Sequence, residues 1–449
     1  MFTVYLTSTN KPTPSLTYSK QPKFSRGGKY GKIVALVLVI FFLSKKVLHI
    51  KHHPKNLPPS PRSLPVIGHF HLLGKPIHIA VDSLLRQYGQ ILFLWFGSRP
   101  VLVLCSPTAI KECFTRKDII FASRPRLILG EILSKYSAIP MAPYGDLWRN
   151  LRRFTASEIF STNCLDISSS IRREEVWSVI RGMCKSCDGE FENVELNSIF
   201  KKLIFNILMR ILGMKPCFGE EEMVDPEKAE DKLDELSSRF FPKQVVLNAG
   251  TETSTTTMEW AMSFLLNHPE VLNKARNEID SIVGYDRLLN ESDFGKLPYL
   301  HSIISETLRL RPIGPFIPPH ESMEDCTIGG FDIPKGTMLL VNQLALHSDP
   351  NVWPEPMKFK PDRFEKGNGE NGVNWIAFGL GRRACPGEGL ALRMLGLTLG
   401  VLIQFFDWER IGGDMVDMSV REQGIRAKAK PLEAMYRPRK SLLHLLSHL

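Results

Sequence analysis

The decapeptide Phe-Gly-Leu-Gly-Arg-Arg-Ala-Cys-Pro-Gly, Phe378 to Gly387, constrains this 449-residue chain more than any other stretch. It holds one cysteine beside two arginines, on a turn that glycine and proline keep open, just ahead of a helix. A thiolate there is a soft anionic ligand of the kind that iron accepts. Two plainer readings compete. Gly379 to Ala384 also fits a loose dinucleotide fingerprint, but no strand pattern leads into it and Cys-Pro-Gly interrupts the expected helix start. An arbitrary cysteine in a glycine-rich loop is more often a free thiol than a ligand. Four further matching positions around Cys385 reverse that expectation.

The motif Phe-x-x-Gly-x-Arg-x-Cys-x-Gly is satisfied at every specified position, and it resembles the heme-binding signature of the cytochromes P450. The resemblance implies a mainly α fold with small β-sheets. It also implies heme b (iron protoporphyrin IX) as cofactor, with Cys385 as its axial thiolate. Phe378, Gly381 and Arg383 would then border the cofactor.

Three more motifs follow in the order the family shows. Trp148-Arg-Asn-Leu-Arg152 sets Trp148 and Arg152 one helical turn apart on one face. By resemblance Trp148, Arg152 and Arg383 hydrogen-bond the heme propionates, for which guanidinium is well suited. Exposed Arg149 and Arg153 are candidates for a basic docking surface for an electron donor. Ala249-Gly-Thr-Glu-Thr-Ser254 matches the oxygen-activating helix, with Gly250 leaving room for oxygen and Glu252 and Thr253 as an acid-alcohol proton relay. Glu306 and Arg309 share a helical face, and Arg363 in Phe359-Lys-Pro-Asp-Arg-Phe364 would join them in a structural triad behind the heme. Short strands are expected at Gln90–Phe96, Val101–Leu104 and Thr327–Ile333. Candidate substrate-contacting stretches are Phe121–Pro143, Arg311–His320 and the Ile425 region, where Arg426 is unusual for an apolar ligand.

Charge divides the chain sharply. Residues 1–81 contain twelve Lys or Arg and no acid, whereas the remainder carries 45 basic and 47 acidic residues. The basicity is therefore an amino-terminal property, pointing to membrane or targeting and away from nucleic acid. Ile33 to Leu43 is unbroken apolar sequence, and extension to Ile50 approaches the length of a spanning helix. A proline cluster follows. The expected organisation is a basic extension (1–32), a membrane anchor (33–50), a proline-rich hinge (51–68) and a heme-thiolate domain (69–449). That order resembles microsomal members, with the domain on the cytosolic side of the endoplasmic reticulum. The acid-free, Ser/Thr-rich start leaves plastid or mitochondrion as the alternative. Eight scattered cysteines suggest free surface thiols and a reducing compartment, with Cys184-x-x-Cys187 at most half a zinc site.

Phrases such as Glu-Trp-Ala-Met-Ser-Phe-Leu-Leu-Asn-His-Pro resemble the plant group that includes isoflavone and indole-glucosinolate hydroxylases. The implied activity is monooxygenation of an apolar, aromatic, flavonoid-like metabolite with O2 and electrons from NADPH-cytochrome P450 reductase. One departure qualifies it. Ala249 follows Pro242 by only seven positions, so between about 236 and 249 the chain lacks most of the family's lid and the first half of the oxygen-activating helix. Pro242 is placed to start a shortened helix. A catalytically impaired heme-binding product is therefore an alternative, and a reductase-independent isomerase or dehydratase is another. The intact Glu252-Thr253 pair argues against the last.

Overall fold

The computed structural model describes residues 56–187, 189–214, 243–367, 373–421 and 424–448. The expected extension, the anchor and residues 51–55 of the hinge lie outside these, as does 215–242, which contains Pro242.

The first helix, α1 (Ile77–Tyr88), leads into the hairpin β1 (Ile91–Phe96) and β2 (Arg99–Leu104). Serine capping and Pro107 in the first turn then start α2 (Pro107–Phe114), with the Ser106 hydroxyl accepting from Ala109 N–H. Next come α3 (Ile128–Ser134), α4 (Asp146–Glu158), α5 (Thr162–Ile167), α6 (Ser169–Lys185), β3 (Glu192–Glu195) and α7 (Leu196–Ile211). The 25-residue α8 (Lys243–Asn267) follows, its middle and end almost wholly buried while Asn248, Ala249 and Glu252 remain exposed. Prolines again occupy the first turns of α9 (Pro269–Val283) and α11 (Pro298–Leu310), which flank the single-turn α10 (Glu291–Phe294).

Short strands dominate the next stretch: β4 (His320–Glu321), β5 (Cys326–Ile328), β6 (Phe331–Ile333) and β7 (Met338–Val341). The single strand expected at Thr327–Ile333 is a hairpin of β5 and β6, because Gly329 and Gly330 turn the chain back on itself. Then α12 (Gln343–His347) precedes the Cys385 loop and α13 (Glu388–Phe405), and β8 (Phe406–Glu409) and β9 (Glu433–Pro438) come before a final 3-10 helix, Lys440–His448. One sheet has the order β1-β2-β7-β4 and a second β3-β9-β8. Helix α13 is apolar and long enough to cross a bilayer, yet it lies inside the protein with 72% of its span buried. It is the central core helix, packed among α6, α8, α9 and α11. Cys105 and Cys113 are also buried, so the described thiols are free but not all on the surface.

Candidate active site

The loop ahead of α13 is closed by its own backbone. Gly379 N–H donates to Ile376 O at 2.9 Å and Cys385 N–H to Phe378 O at 2.8 Å. Phe378 thus contributes a carbonyl that fixes the cysteine, and its ring meets Trp375 edge-on at 6.0 Å. Gly381 has φ +67°, and any Cβ there would collide with the Asp118 carboxylate. Asp118 accepts from Arg382 N–H at 3.1 Å and pairs with the Arg382 guanidinium at 3.0 Å. The need for Gly381 in this loop is therefore Asp118, a residue that sequence reasoning missed.

Cys385 is accessible to solvent, yet protein surrounds it on most sides, so its sulfur opens into a recess. Burial pushes the thiol up. Backbone N–H groups of Gly387 and Glu388, together with the Arg152 guanidinium, act in the opposite direction. The two N–H groups come from the N-cap and first residue of α13, where the helix dipole also favours an anion.

Around the recess lies a pocket of cations without acids. Arg152 on α4 donates to Ala384 O at 2.8 Å. Arg383 lays its guanidinium 4.2 Å over the Trp148 ring and donates to Ala122 O, Ile139 O and Ala142 O. Arg124, buried on the same side, donates to Pro140 O, Pro318 O and Pro319 O. No carboxylate among the described residues pairs with any of the three. Burial, then Arg383, pushes Arg124 down to about 9; burial, then Arg152, pushes Arg383 to about 10. His320 sits beside them, its Nδ1 2.7 Å from Phe121 O, and burial followed by Arg124 holds it well below its ordinary value. The Trp148 indole N–H is buried without a partner. Such a pocket asks for an anion. Arg124 and His320 carried no signal of their own, since neither falls at a spacing that singles it out.

The expected triad is assembled. Glu306 accepts from Arg309 Nε at 2.7 Å, from Arg363 Nε at 3.0 Å and from Lys360 N–H at 3.0 Å, and both Glu306 and Arg309 are fully buried. Arg309 also donates to His347 O at 2.6 Å, which ties α11 to α12. His347 Nε2 in turn accepts Ile376 N–H at 3.1 Å, at the start of the cysteine loop. The ion cluster therefore reaches the loop through a named chain of bonds.

The oxygen-activating motif expected from the sequence lies on α8. Thr253 Oγ1 donates to Ala249 O at 2.6 Å, and Thr257 Oγ1 to Thr253 O at 2.8 Å. Glu252 is half exposed and its carboxylate lies 3.8 Å from Lys201 of α7. Neighbours in sequence, Glu252 and Thr253 thus point to different sides of the helix. Gly250 also has a packing role. A Cβ there would come 2.8 Å from Leu208 Cδ1, so its small size lets α7 and α8 close on one another.

The family model for Cytochrome P450 matches residues 58–246 and 243–435. The chain belongs to the cytochrome P450 family. This P450 is accordingly a heme-iron monooxygenase, and the family holds heme b through a cysteine thiolate. Relatives include Cytochrome P450 81Q32 of Catharanthus roseus, 40% identical over 91% of this chain and 97% of its own length. Isoflavone 3'-hydroxylase of Medicago truncatula is 38% identical over 89% and 97%. Isoflavone 2'-hydroxylase of Glycyrrhiza echinata is 37% identical over 90% and 96%.

The residues present fit heme b. A dianionic group at the recess would meet the acid-free arginines and the orphaned Trp148 N–H, while Cys385 offers the sulfur. The comparison also locates the shortening. The Catharanthus alignment runs over 484 positions but takes in 91% of 449 residues, about 409, so roughly 75 positions of the relative face no residue here. The two parts of the family match meet at 243–246, the first turn of α8.

Proposed function

We propose that this P450 hydroxylates an apolar, aromatic plant metabolite of the flavonoid or isoflavonoid kind. Its oxygen comes from O2 and its electrons from NADPH-cytochrome P450 reductase. The observation that carries the reading is Cys385 beside Arg152, with Arg383, Arg124 and the unpartnered Trp148 N–H clustered next to them and no acid paired to the arginines among the described residues. The hydroxylase names of the Medicago and Glycyrrhiza relatives support the substrate class.

Bound there, heme supplies oxygen activation and insertion, which no side chain can perform. The chain does the rest. Cys385 provides the anionic ligand, and the carbonyl of Phe378 and the turn at Gly381 aim it. Trp148, Arg152 and Arg383, joined by Arg124 and His320, would hold the propionates of a bound heme. Glu306, Arg309 and Arg363 hold the loop. To relay protons, Thr253 Oγ1 would release Ala249 O, and Glu252 would leave Lys201, turn towards it and take up a proton from solvent to pass on. In this reading 33–50 anchors the protein in the endoplasmic reticulum membrane and 51–68 spaces the cytosolic domain 69–449 from it, behind the extension 1–32.

The shortening before α8 favours a second reading, a heme-loaded protein whose turnover is uncoupled, because a lid excludes water from the reaction. A carbon monoxide difference spectrum of the reduced protein tests the first element. The thiolate-type Soret band is expected, and its absence overturns the enzyme reading for this chain. NADPH consumption with reductase, set against hydroxylated isoflavone formed, then separates coupled turnover from leakage.

A further inference from the structure

A second group of uncompensated cations lies at the other end of α8. Arg311, the residue after α11, places its guanidinium 4.8 Å from the ring centre of Trp260 and 5.7 Å from that of Phe264. Arg426 reaches the same corner through its backbone. Its N–H donates to Ile313 O at 2.9 Å, and its carbonyl accepts the Trp260 indole N–H at 2.8 Å. Lys428 stands 5.0 Å from the Trp260 ring centre, but Glu259 and Asp417 offset its charge.

The two arginines have no such help. Arg311 makes only long bonds, 3.3 Å to Leu310 O and 3.5 Å to Met418 O, and its Nε is buried without a partner. The Arg426 guanidinium makes no hydrogen bond or ion pair among the described residues, and its Nε is likewise buried and unpaired. Burial, then Arg426, pushes Arg311 down to about 10, and burial lowers Arg426 as well. Two like charges drawn together out of water are unfavourable unless an anion joins them, and aromatic faces compensate only in part.

The position ties the pair to the reaction. Trp260 follows Thr253 by seven residues, so the two share one face of α8 about 10 Å apart along its axis. Ile313 and Ile425 come from two of the stretches expected to contact substrate. We infer that Arg311 and Arg426 bind a carboxylate at the far end of an aromatic substrate whose oxidised end lies near Thr253. The paired forks suit an organic oxyanion in bidentate fashion. This inference rests on the monooxygenase reading only in calling the ligand a substrate.

Equilibrium dialysis of the heme-loaded full chain tests it, with naphthalene-2-carboxylate, its methyl ester and inorganic phosphate as probes. The carboxylate should bind at least about ten-fold tighter than the ester. Arg426→Gln should remove that preference, Arg426→Lys should restore part of it, and Arg311→Gln should weaken carboxylate binding by about ten-fold. Arg426→Gln is the principal variant, because among the described residues its guanidinium makes no hydrogen bond or ion pair that the substitution would break. Equal binding of acid and ester, or a preference that survives Arg426→Gln, overturns the site. Phosphate that displaces the carboxylate at equal concentration overturns the substrate assignment. A carbon monoxide difference spectrum of the same samples keeps the two readings apart. A thiolate band without carboxylate preference sinks this inference alone, and preference without the band sinks the heme reading alone.

Discussion

On the Cys385 side the groups come from several elements tied to one another by hydrogen bonds, whereas on the Thr253 side Glu252 and Thr253 sit together on one helix, α8. The cysteine loop is bonded to itself, to Asp118, to α4 through Arg152 and to α12 through His347. Thr253 has only the helix backbone, and Glu252 has Lys201 at 3.8 Å with half its surface exposed. The two parts of the family match meet in the first turn of this helix, and the Catharanthus relative carries roughly 75 positions that face no residue here. A ligand site built from many crossing contacts survives loss of a neighbouring segment. A chamber that depends on a cover does not, and coupling of oxygen use to product should be the first property lost.

The largest effect tests the ligand side itself. Cys385→Ala should abolish the thiolate-type Soret band in the carbon monoxide difference spectrum, and a retained band would remove Cys385 from its role. Breaking the support behind it comes next. Glu306→Ala leaves Arg309 charged and buried, which should cost about 3–5 kcal/mol in urea unfolding. A loss under 1 kcal/mol would mean that the cluster does not hold the loop.

On the distal side, Gly250→Ala should destabilise by about 1–3 kcal/mol through contact with Leu208. Leu208→Ala added to it should recover part of the loss. If instead the glycine serves oxygen access, Gly250→Ala will lower turnover with unchanged stability and the second substitution will rescue nothing.

His347 gives the comparison a pH dependence. Burial, then Arg309, lowers its pKa to about 3 in the folded protein, against about 6.5 when unfolded. The unfolded chain therefore takes up the proton first. Its stabilising contribution is complete above about pH 6.5 and declines as pH falls towards 3, by at most about 1.4 kcal/mol per pH unit. His347→Gln keeps an acceptor for Ile376 N–H but cannot titrate, so its unfolding free energy should fall less steeply below pH 6.5. Parallel slopes for the two proteins would exclude His347 as the source. The smallest effect belongs to Trp148→Phe, which keeps the ring under Arg383 and removes the unpartnered N–H. Heme retention should fall about ten-fold with stability unchanged, since that N–H bonds nothing in the protein. Equal loss of stability would show a packing role only.

Much of this was legible in the chain as written. A motif of short range carries its own geometry, so the Cys385 loop, the Trp148 and Arg152 face and the Glu306–Arg309 pair were all readable from spacing and resemblance. The break before Ala249 was readable as well, because it is a matter of length. Arg124, His320, Asp118 and Lys201 were not readable, since each enters the site from a segment distant in sequence and nothing local marks it. Gly250 shows the same limit in reverse. Its motif was recognised, but only the packing of α7 on α8 revealed that Leu208 occupies the space beside it. Arg426 could be noticed as odd in an apolar stretch, and tertiary folding alone brought it near Arg311, with neither paired to an acid among the described residues. By itself the sequence determined which ligand chemistry the protein offers, because that depends on residue type and on turns a few residues long. Which charges are left unanswered was decided only by the tertiary structure, because the cost of a buried charge depends on everything that folds around it.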